Sequence, residues 1–298
     1  MLGIGRVLYY AVPIIMTGLS VGFAFKTGLF NIGTPGQFII GAFAAVYVGV
    51  KWTFLPGSIH WLVAILAAFA AGGLWAVIPG VMKAYLNVNE VISSIMMNYI
   101  GMYLVNYSVS LVLFDALRNQ SLPVASTAVI PKMGFDKIFT GSPANGGFVI
   151  AILFVILIYI ILNKTSFGYE MKACGFNKDA SKYAGINEKR NIILSMVIAG
   201  ALAGVGGGLL YLSGSGKFIE VVDVLPAEGF NGIPVALLGL SNPIGVLFAG
   251  LFIAYLNVGG NAMQQFGFIP QIVDIIISCI IYCSALSLMI KVWLSKRR

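Results

Sequence analysis

The chain has 298 residues, of which 59% are hydrophobic and 9% charged, against about 25% charged in an ordinary soluble domain. That composition cannot cover a water-facing surface, so it excludes soluble domains and predicts an all-α, polytopic transmembrane helical bundle. The formal charge of +8 comes from basic residues scattered between apolar runs; no basic patch is interleaved with aromatics, which excludes nucleic-acid binding and leaves the charge as a report of membrane orientation.

In chain order, apolar runs fall at 7–25, 36–50, 61–82, 89–113, 147–163, 191–213, 227–241, 243–258 and 271–291. They predict about nine spans in a single transmembrane domain, with repeat-like halves at about 7–163 and 191–291 around a polar segment at 164–190. A spanning helix takes about 20 residues, so 36–50 and 227–241 are short. The first run does not read as a signal peptide, because Arg6 alone precedes it and no small-x-small cleavage site follows. His60, after "FLPGSI", reads as a loop or interfacial histidine rather than a metal ligand or general base. The run 89–113 carries Glu90 and Asn98 on roughly one helical face. Glu90, close to Lys83 at the membrane edge, suits a helix N-terminus, and Asn98 is a candidate pore-facing residue. The connection 114–146 holds Pro123, Pro131 and Pro143 and no strong helical pattern; it is a connector or a docking surface. Asp274, in the last run, is an interfacial carboxylate or a proton relay. Cys174, Cys279 and Cys283 give no disulfide framework and read as free thiols.

Placing 163–190 and the tail "KVWLSKRR" in the cytoplasm puts twelve basic residues inside and six outside, as the positive-inside rule expects. This requires nine crossings with the N-terminus outside.

Two stretches interrupt the apolar pattern in a related way. "GLFNIGTPGQF" at 28–38 packs polar and helix-breaking residues where a span should be regular, and "EGFNGIPVALLG" repeats it downstream. Phe30-Asn31 is matched by Phe230-Asn231, and Gly33 and Pro35 by Gly232 and Pro234. An apolar helix precedes each copy, one running inward and the other outward, so the copies are expected to be inverted repeats. Paired, Gly/Pro-interrupted segments in inverted halves point to a transport pathway, because unpaired backbone groups survive at membrane depth only when buried in protein or lining a watery cavity. Phe30, Asn31, Gln37, Asn98, Phe230 and Asn231 are therefore the candidate pathway residues, with the rings offering stacking and the amides hydrogen bonds. The pattern also fits structural kinks packed between helices.

The polar segment predicts a helix of about two turns, with Asn177 as N-cap, Asp179 in the first turn and Gly185 as the C′ stop. It presents Ala180, Tyr183 and Ala184 beside Lys178 and Lys182. Two isolated turns are marginal in water, so this helix either fits a socket on a cytoplasmic partner or docks on its own bundle. No G-x-x-x-x-G-K-[ST] motif occurs, so nucleotide phosphates are not cradled here in the usual way.

"GLFNIGTPGQFIIGA", "VNEVISSIMMNYI", "MKACGFNKDASKYAGIN", "AGALAGVGGGL" and "GFNGIPVALLG" together resemble, in order and over nearly the whole chain, the permease subunits of bacterial ABC importers of the branched-chain amino acid/ribose/nucleoside type. The likeness is closest to nucleoside permeases that carry a simple-sugar description. The resemblance implies that 171–187 is a coupling segment, with Lys172, Gly175, Asn177, Ala180, Tyr183, Ala184 and Gly185 contacting an ATP-binding cassette subunit. It implies a second permease subunit, an extracellular substrate-binding lipoprotein, surrounding membrane lipid and a tenth helix upstream of residue 7. It implies no cofactor or enzymatic activity in this chain, ATP and Mg belonging to the cassette. The expected function is half of a nucleoside translocation pathway in the cell membrane. A ribose or other simple-sugar permease, an ion-coupled secondary transporter and a non-transporting scaffold are the alternatives.

Overall fold

A computed structural model describes residues 2–264 together with 267, 269, 271–272, 275–280, 282–283 and 286. Asp274 and the basic tail Lys291, Lys296, Arg297 and Arg298 lie outside the described residues. The chain is a helical bundle. Among the described residues six helices are long and apolar enough to cross a membrane: α1 (Leu2–Lys26), α3 (Gly57–Leu86), α4 (Glu90–Val112), α6 (Gly147–Lys164), α9 (Glu188–Tyr211) and α12 (Pro243–Met263). Helix α2 (Thr34–Lys51) covers the first short run. The second is divided into α10 (Ala227–Phe230) and α11 (Gly232–Leu238). Between α4 and α6 lie a two-residue hairpin, β1 (Phe114–Asp115) with β2 (Gln120–Ser121), and the one-turn helix α5 (Phe135–Ile138). Helices α7 (Ser166–Phe176) and α8 (Lys178–Tyr183) form the polar segment.

Helix ends alternate between two poles. One pole gathers Lys26, Lys83, α7 and α8; the other gathers Arg6, Lys51, the 114–146 connection and the loop after α9. At the first pole asparagines start the helices: Asn89 accepts from the Val91 amide (2.8 Å), Asn187 from Arg190 (3.1 Å) and Asn242 from Ile244 (3.0 Å). Each satisfies a donor that the first turn leaves free. There Glu90 opens α4 and pairs with Lys83 at 2.8 Å, as the sequence suggests for a carboxylate at the membrane edge.

Helix α9 sits at the centre, packed on α1, α2 and α3. Its run "AGALAGVGGG" lets backbones replace side chains at these contacts. A Cβ on Gly204 would strike the Ala68 carbonyl, and one on Gly208 would stand 2.9 Å from the Ala68 methyl. Small residues give membrane helices the close van der Waals approach that replaces a hydrophobic driving force between them.

One expectation about a single residue changes. The third helix begins at Gly57, so His60 lies in its first turn rather than in a loop, fully buried. Its Nε2 lies 3.0 Å from the Val48 carbonyl and its Nδ1 2.9 Å from the Thr127 hydroxyl. Cys174 is likewise helical and buried, its sulfur accepting from Asn191 Nδ2 at 3.5 Å. Both residues are fixed by partners distant in sequence.

Substituting Gly204→Val should destabilise the bundle by about 3 kcal/mol, the upper range for overpacking, and reduce the monodisperse fraction after detergent extraction. Gly259→Ala, where an added Cβ meets open space, should leave that fraction unchanged.

Candidate functional site

The first break starts where α1 ends. Residues 27–33 are irregular, and α2 begins at Thr34 without a side-chain cap of its own. The polar groups freed here are taken up by two asparagines and a glutamine. Asn31 Oδ1 accepts from the Gly33 amide (3.0 Å) and from Gln37 Nε2 (3.2 Å), while Asn31 Nδ2 donates to Gln37 Oε1 (2.8 Å) and Ser20 Oγ (3.3 Å). Asn98, from α4, accepts from the Gly36 amide (2.9 Å) and donates to the Ile32 carbonyl (3.0 Å). Asn98 therefore caps α2 from a neighbouring helix. Asn31, Gln37 and Asn98 are 0%, 1% and 2% exposed, and their donors and acceptors are directed at one another and at the backbone. Ser94, also on α4, is buried beside Gly33 with its hydroxyl unpartnered among the described residues. Phe30 is partly buried and stacks on Phe25, with ring centroids 5.1 Å apart and planes 6° from parallel.

The second break is built differently. Asn231 separates α10 from α11 with helical backbone angles (φ −59°, ψ −17°). Its side chain is half-buried and caps neither helix, and Phe230 is 40% exposed. Gly229 packs directly on Pro35 at the start of α2, and an added Cβ on Gly232 would stand 2.5 Å from the Thr17 carbonyl carbon of α1. The fold thus brings the two breaks together around α1. It does not bring Asn31 and Asn231 into a common hydrogen bond: the first is locked in an amide pair, and the second makes no side-chain hydrogen bond among the described residues.

The approach to the second break holds an ion pair that sequence reasoning passed over. Lys217 Nζ lies 2.7 Å from Glu228 Oε1 on α10. Burial alone would lower the lysine pKa, but the facing carboxylate outweighs it and holds the ammonium above its ordinary value. A cavity of about 420 Å³, lined by Arg6, Tyr9, Tyr10, Lys217 and Asn261 among others, opens beside it. The available signal in the sequence is the acid Glu228, two residues before the repeated Phe-Asn.

The polar segment reaches the first break. Gly28 has φ +75°, and an added Cβ would meet the Gly175 Cα of α7 at 2.5 Å; one on Gly175 would meet the Thr27 carbonyl carbon at 2.6 Å. The two glycines interlock backbone to backbone. The neighbouring Thr27 and Ser195 hydroxyls are hydrogen-bonded as well. Lys172, Gly175, Leu240 and Ser241 share a cleft of about 230 Å³ with Phe25 and Gly28, so the turn after α11 joins the same junction. Asn177 Oδ1 caps α8 by accepting from Ala180 N at 3.0 Å. Gly185, at φ +79°, ends α8 in a Schellman turn, with Ile186 N bonded to the Ser181 carbonyl and Gly185 N to the Lys182 carbonyl, each at 3.0 Å. Ala180 and Ala184 are exposed, Tyr183 is 95% exposed and Phe176 90%.

Removing the Asn98 side chain leaves the Gly36 amide and the Ile32 carbonyl without partners. Asn98→Ala should therefore cost about 3 kcal/mol, measured as a lowered unfolding temperature of the detergent-solubilised protein; an unchanged temperature would contradict its role as a cap for α2.

Comparison with known proteins agrees with this architecture. A family described as "Branched-chain amino acid transport system / permease component" matches residues 3–285. The chain is 39% identical to the guanosine ABC transporter permease protein NupP of Bacillus subtilis (strain 168), over 98% of this chain and 84% of that protein. It is 36% identical to the nucleoside ABC transporter permease protein NupB of Lactococcus lactis subsp. cremoris (strain MG1363), over 99% and 82%. It is 33% identical to the glucose ABC transporter permease protein TsgB13 of Haloferax volcanii, over 94% and 75%. No solved structure matches. With its apolar helices and its match along nearly the full length, the chain is a multi-pass membrane protein and belongs to the branched-chain amino acid transport system permease family.

Proposed function

We propose that the chain is the permease subunit of an ATP-driven ABC importer of nucleosides and forms half of its translocation pathway with a second permease subunit. The observation that carries this reading is the interlock of Gly28 with Gly175. It places the segment with the exposed, sharply capped α8 directly against a broken, membrane-depth stretch. Force applied to α8 by a partner is then delivered to the break without passing through a flexible connector.

In this reading the α8 pole is cytoplasmic. An ATP-binding cassette subunit receives Ala180, Tyr183 and Ala184, while Lys172 and Gly175 hold α7 to the break and Asn177 and Gly185 fix the ends of α8. The cassette carries ATP and Mg and performs the hydrolysis; this chain, which lacks the phosphate-cradling motif, is not an enzyme. An extracellular binding lipoprotein delivers solute at the opposite pole. Phe30, Phe230 and Asn231 face the route, and Asn31, Gln37 and Asn98 hold the first break in shape behind it. Movement of the coupling segment shifts the two packed breaks together, a rigid-body route to alternating access.

The nucleoside assignment follows the named substrates of two relatives more than 35% identical to the chain. The relative named for glucose favours a sugar as the second reading. Uptake of labelled guanosine, ribose, glucose and leucine by cells expressing the complete transporter separates them: ATP-dependent guanosine uptake is expected. Uptake that survives loss of the cassette and collapses with a protonophore would instead establish an ion-coupled carrier.

The coupling assignment makes two separable predictions. Gly175→Ala should keep the cassette bound but lower uptake about tenfold, a coupling loss in the ordinary range. Gly185→Pro, with φ forced near −65° where the turn needs a positive value, should release the cassette on co-purification. Normal uptake in the first variant, or normal cassette retention in the second, would remove the respective role.

A further inference from the structure

Helix α4 carries tyrosines where a lipid-facing helix should not. Tyr99, Tyr103 and Tyr107 recur every four residues and so line one face; they are 51%, 56% and 67% exposed. Tyr99 and Tyr103 stand about 14 and 20 Å along a helix about 34 Å long, inside a hydrocarbon layer of about 30 Å. From there a phenol is too short to reach the headgroups. Tyrosines that face lipid belong at the membrane–water interface, where the ring is buried and the hydroxyl is wet. Among the described residues none of the three hydroxyls has a hydrogen-bond partner, in contrast to Tyr9, whose hydroxyl lies 2.7 Å from that of Ser215.

Among the described residues no other outward helix face repeats tyrosines at this depth: α3 exposes Leu66, Phe69 and Leu74, α6 exposes Leu153, Ile156 and Ile160, and α12 exposes Phe248 and Phe252 with the single Tyr255. Helix α4 also holds both breaks, from the flank that adjoins the tyrosine face. Asn98 caps α2, and Asn106 donates to the Val222 carbonyl (2.9 Å) and to Asp223 Oδ1 (3.2 Å), on the loop that leads into α10. That loop exposes Val222 and Val224, and α10 exposes Phe230. The tyrosine face therefore adjoins the side of α4 that holds the breaks.

We propose that Tyr99, Tyr103 and Tyr107 form an aromatic ladder lining the solute route, on which a nucleobase stacks while the hydroxyls bond to water. The nucleobase rests on the functional reading above; the wetness of the ladder does not. Stacking tolerates any base, because every base presents a π-face, which suits a channel that passes solutes selected elsewhere by a binding protein.

The test uses the complete transporter with Cys174, Cys279 and Cys283 replaced by Ser. Tyr99→Cys, Tyr103→Cys and Tyr107→Cys are compared with Leu66→Cys on α3, using a charged, membrane-impermeant methanethiosulfonate. The three ladder thiols should react at least about tenfold faster than the Leu66→Cys thiol, since thiolate chemistry requires water, and guanosine should slow them. Equal, slow rates would overturn the proposal, the face then meeting lipid or a dry partner surface. In a second arm, Tyr103→Phe should leave the KM for guanosine within about twofold, while Tyr103→Leu raises it about tenfold at unchanged membrane level. An unchanged KM in the Leu variant would overturn the stacking role. If the wild-type transporter moves glucose and no guanosine, the functional reading falls and the nucleobase with it, while labelling without solute still decides whether the ladder is wet.

Discussion

A peptide group without a hydrogen-bond partner is costly at membrane depth, and the stretch from Gly28 to Gly36 creates several. The surrounding structure is organised around satisfying them. Asn31 and Gln37 form a reciprocal amide pair that also holds the Gly33 amide, and Asn98 bridges the Gly36 amide and the Ile32 carbonyl from another helix. Once these groups are paired, α2 can begin well inside the bundle with no cap of its own. Asn31 reaches Ser20, about 9 Å along α1 from Lys26. The break is thus held by directional bonds, while the rest of the bundle is held by close packing of small residues on α9.

Holding the first break also positions the second. Gly229 lies against Pro35 and Gly232 against Thr17, so the half-helices α10 and α11 are seated on the start of α2 and on α1. At the cytoplasmic pole of the proposed arrangement, Gly28 and Gly175 close the remaining distance to the coupling segment. The result is a continuous chain of backbone contacts from α7 through the first break to the second. Backbone contacts of this kind have no rotamers to absorb a displacement, which is what transmission from an ATPase to a solute route requires.

Much of this was legible in the sequence because it depends on local chemistry. Composition set the solvent. Periods of apolar residues set the long helices, and Asn177 and Gly185 marked the ends of α8 correctly because caps depend on neighbours within a turn. The two breaks were legible as Gly/Pro clusters at related places. What stayed hidden depends on partners far apart in the chain. Nothing local says that Asn98 caps a helix 62 residues earlier, that His60 bonds to Thr127, or that Gly28 and Gly175 are in backbone contact. The equivalence of Asn31 and Asn231 suggested by the repeat does not extend to bonding. Gln37 lies six residues after Asn31 and closes an amide pair, whereas the residue six after Asn231 is Leu237, with no polar group to offer.

The central claim is that the proposed coupling segment and the first break move as one body. Hydrogen–deuterium exchange on the complete transporter, with and without ATP, tests it most directly. The account predicts that protection of residues 171–185 and 27–33 changes together, while the Gly36 amide stays protected under Asn98. A change in 171–185 that leaves 27–33 untouched would contradict it.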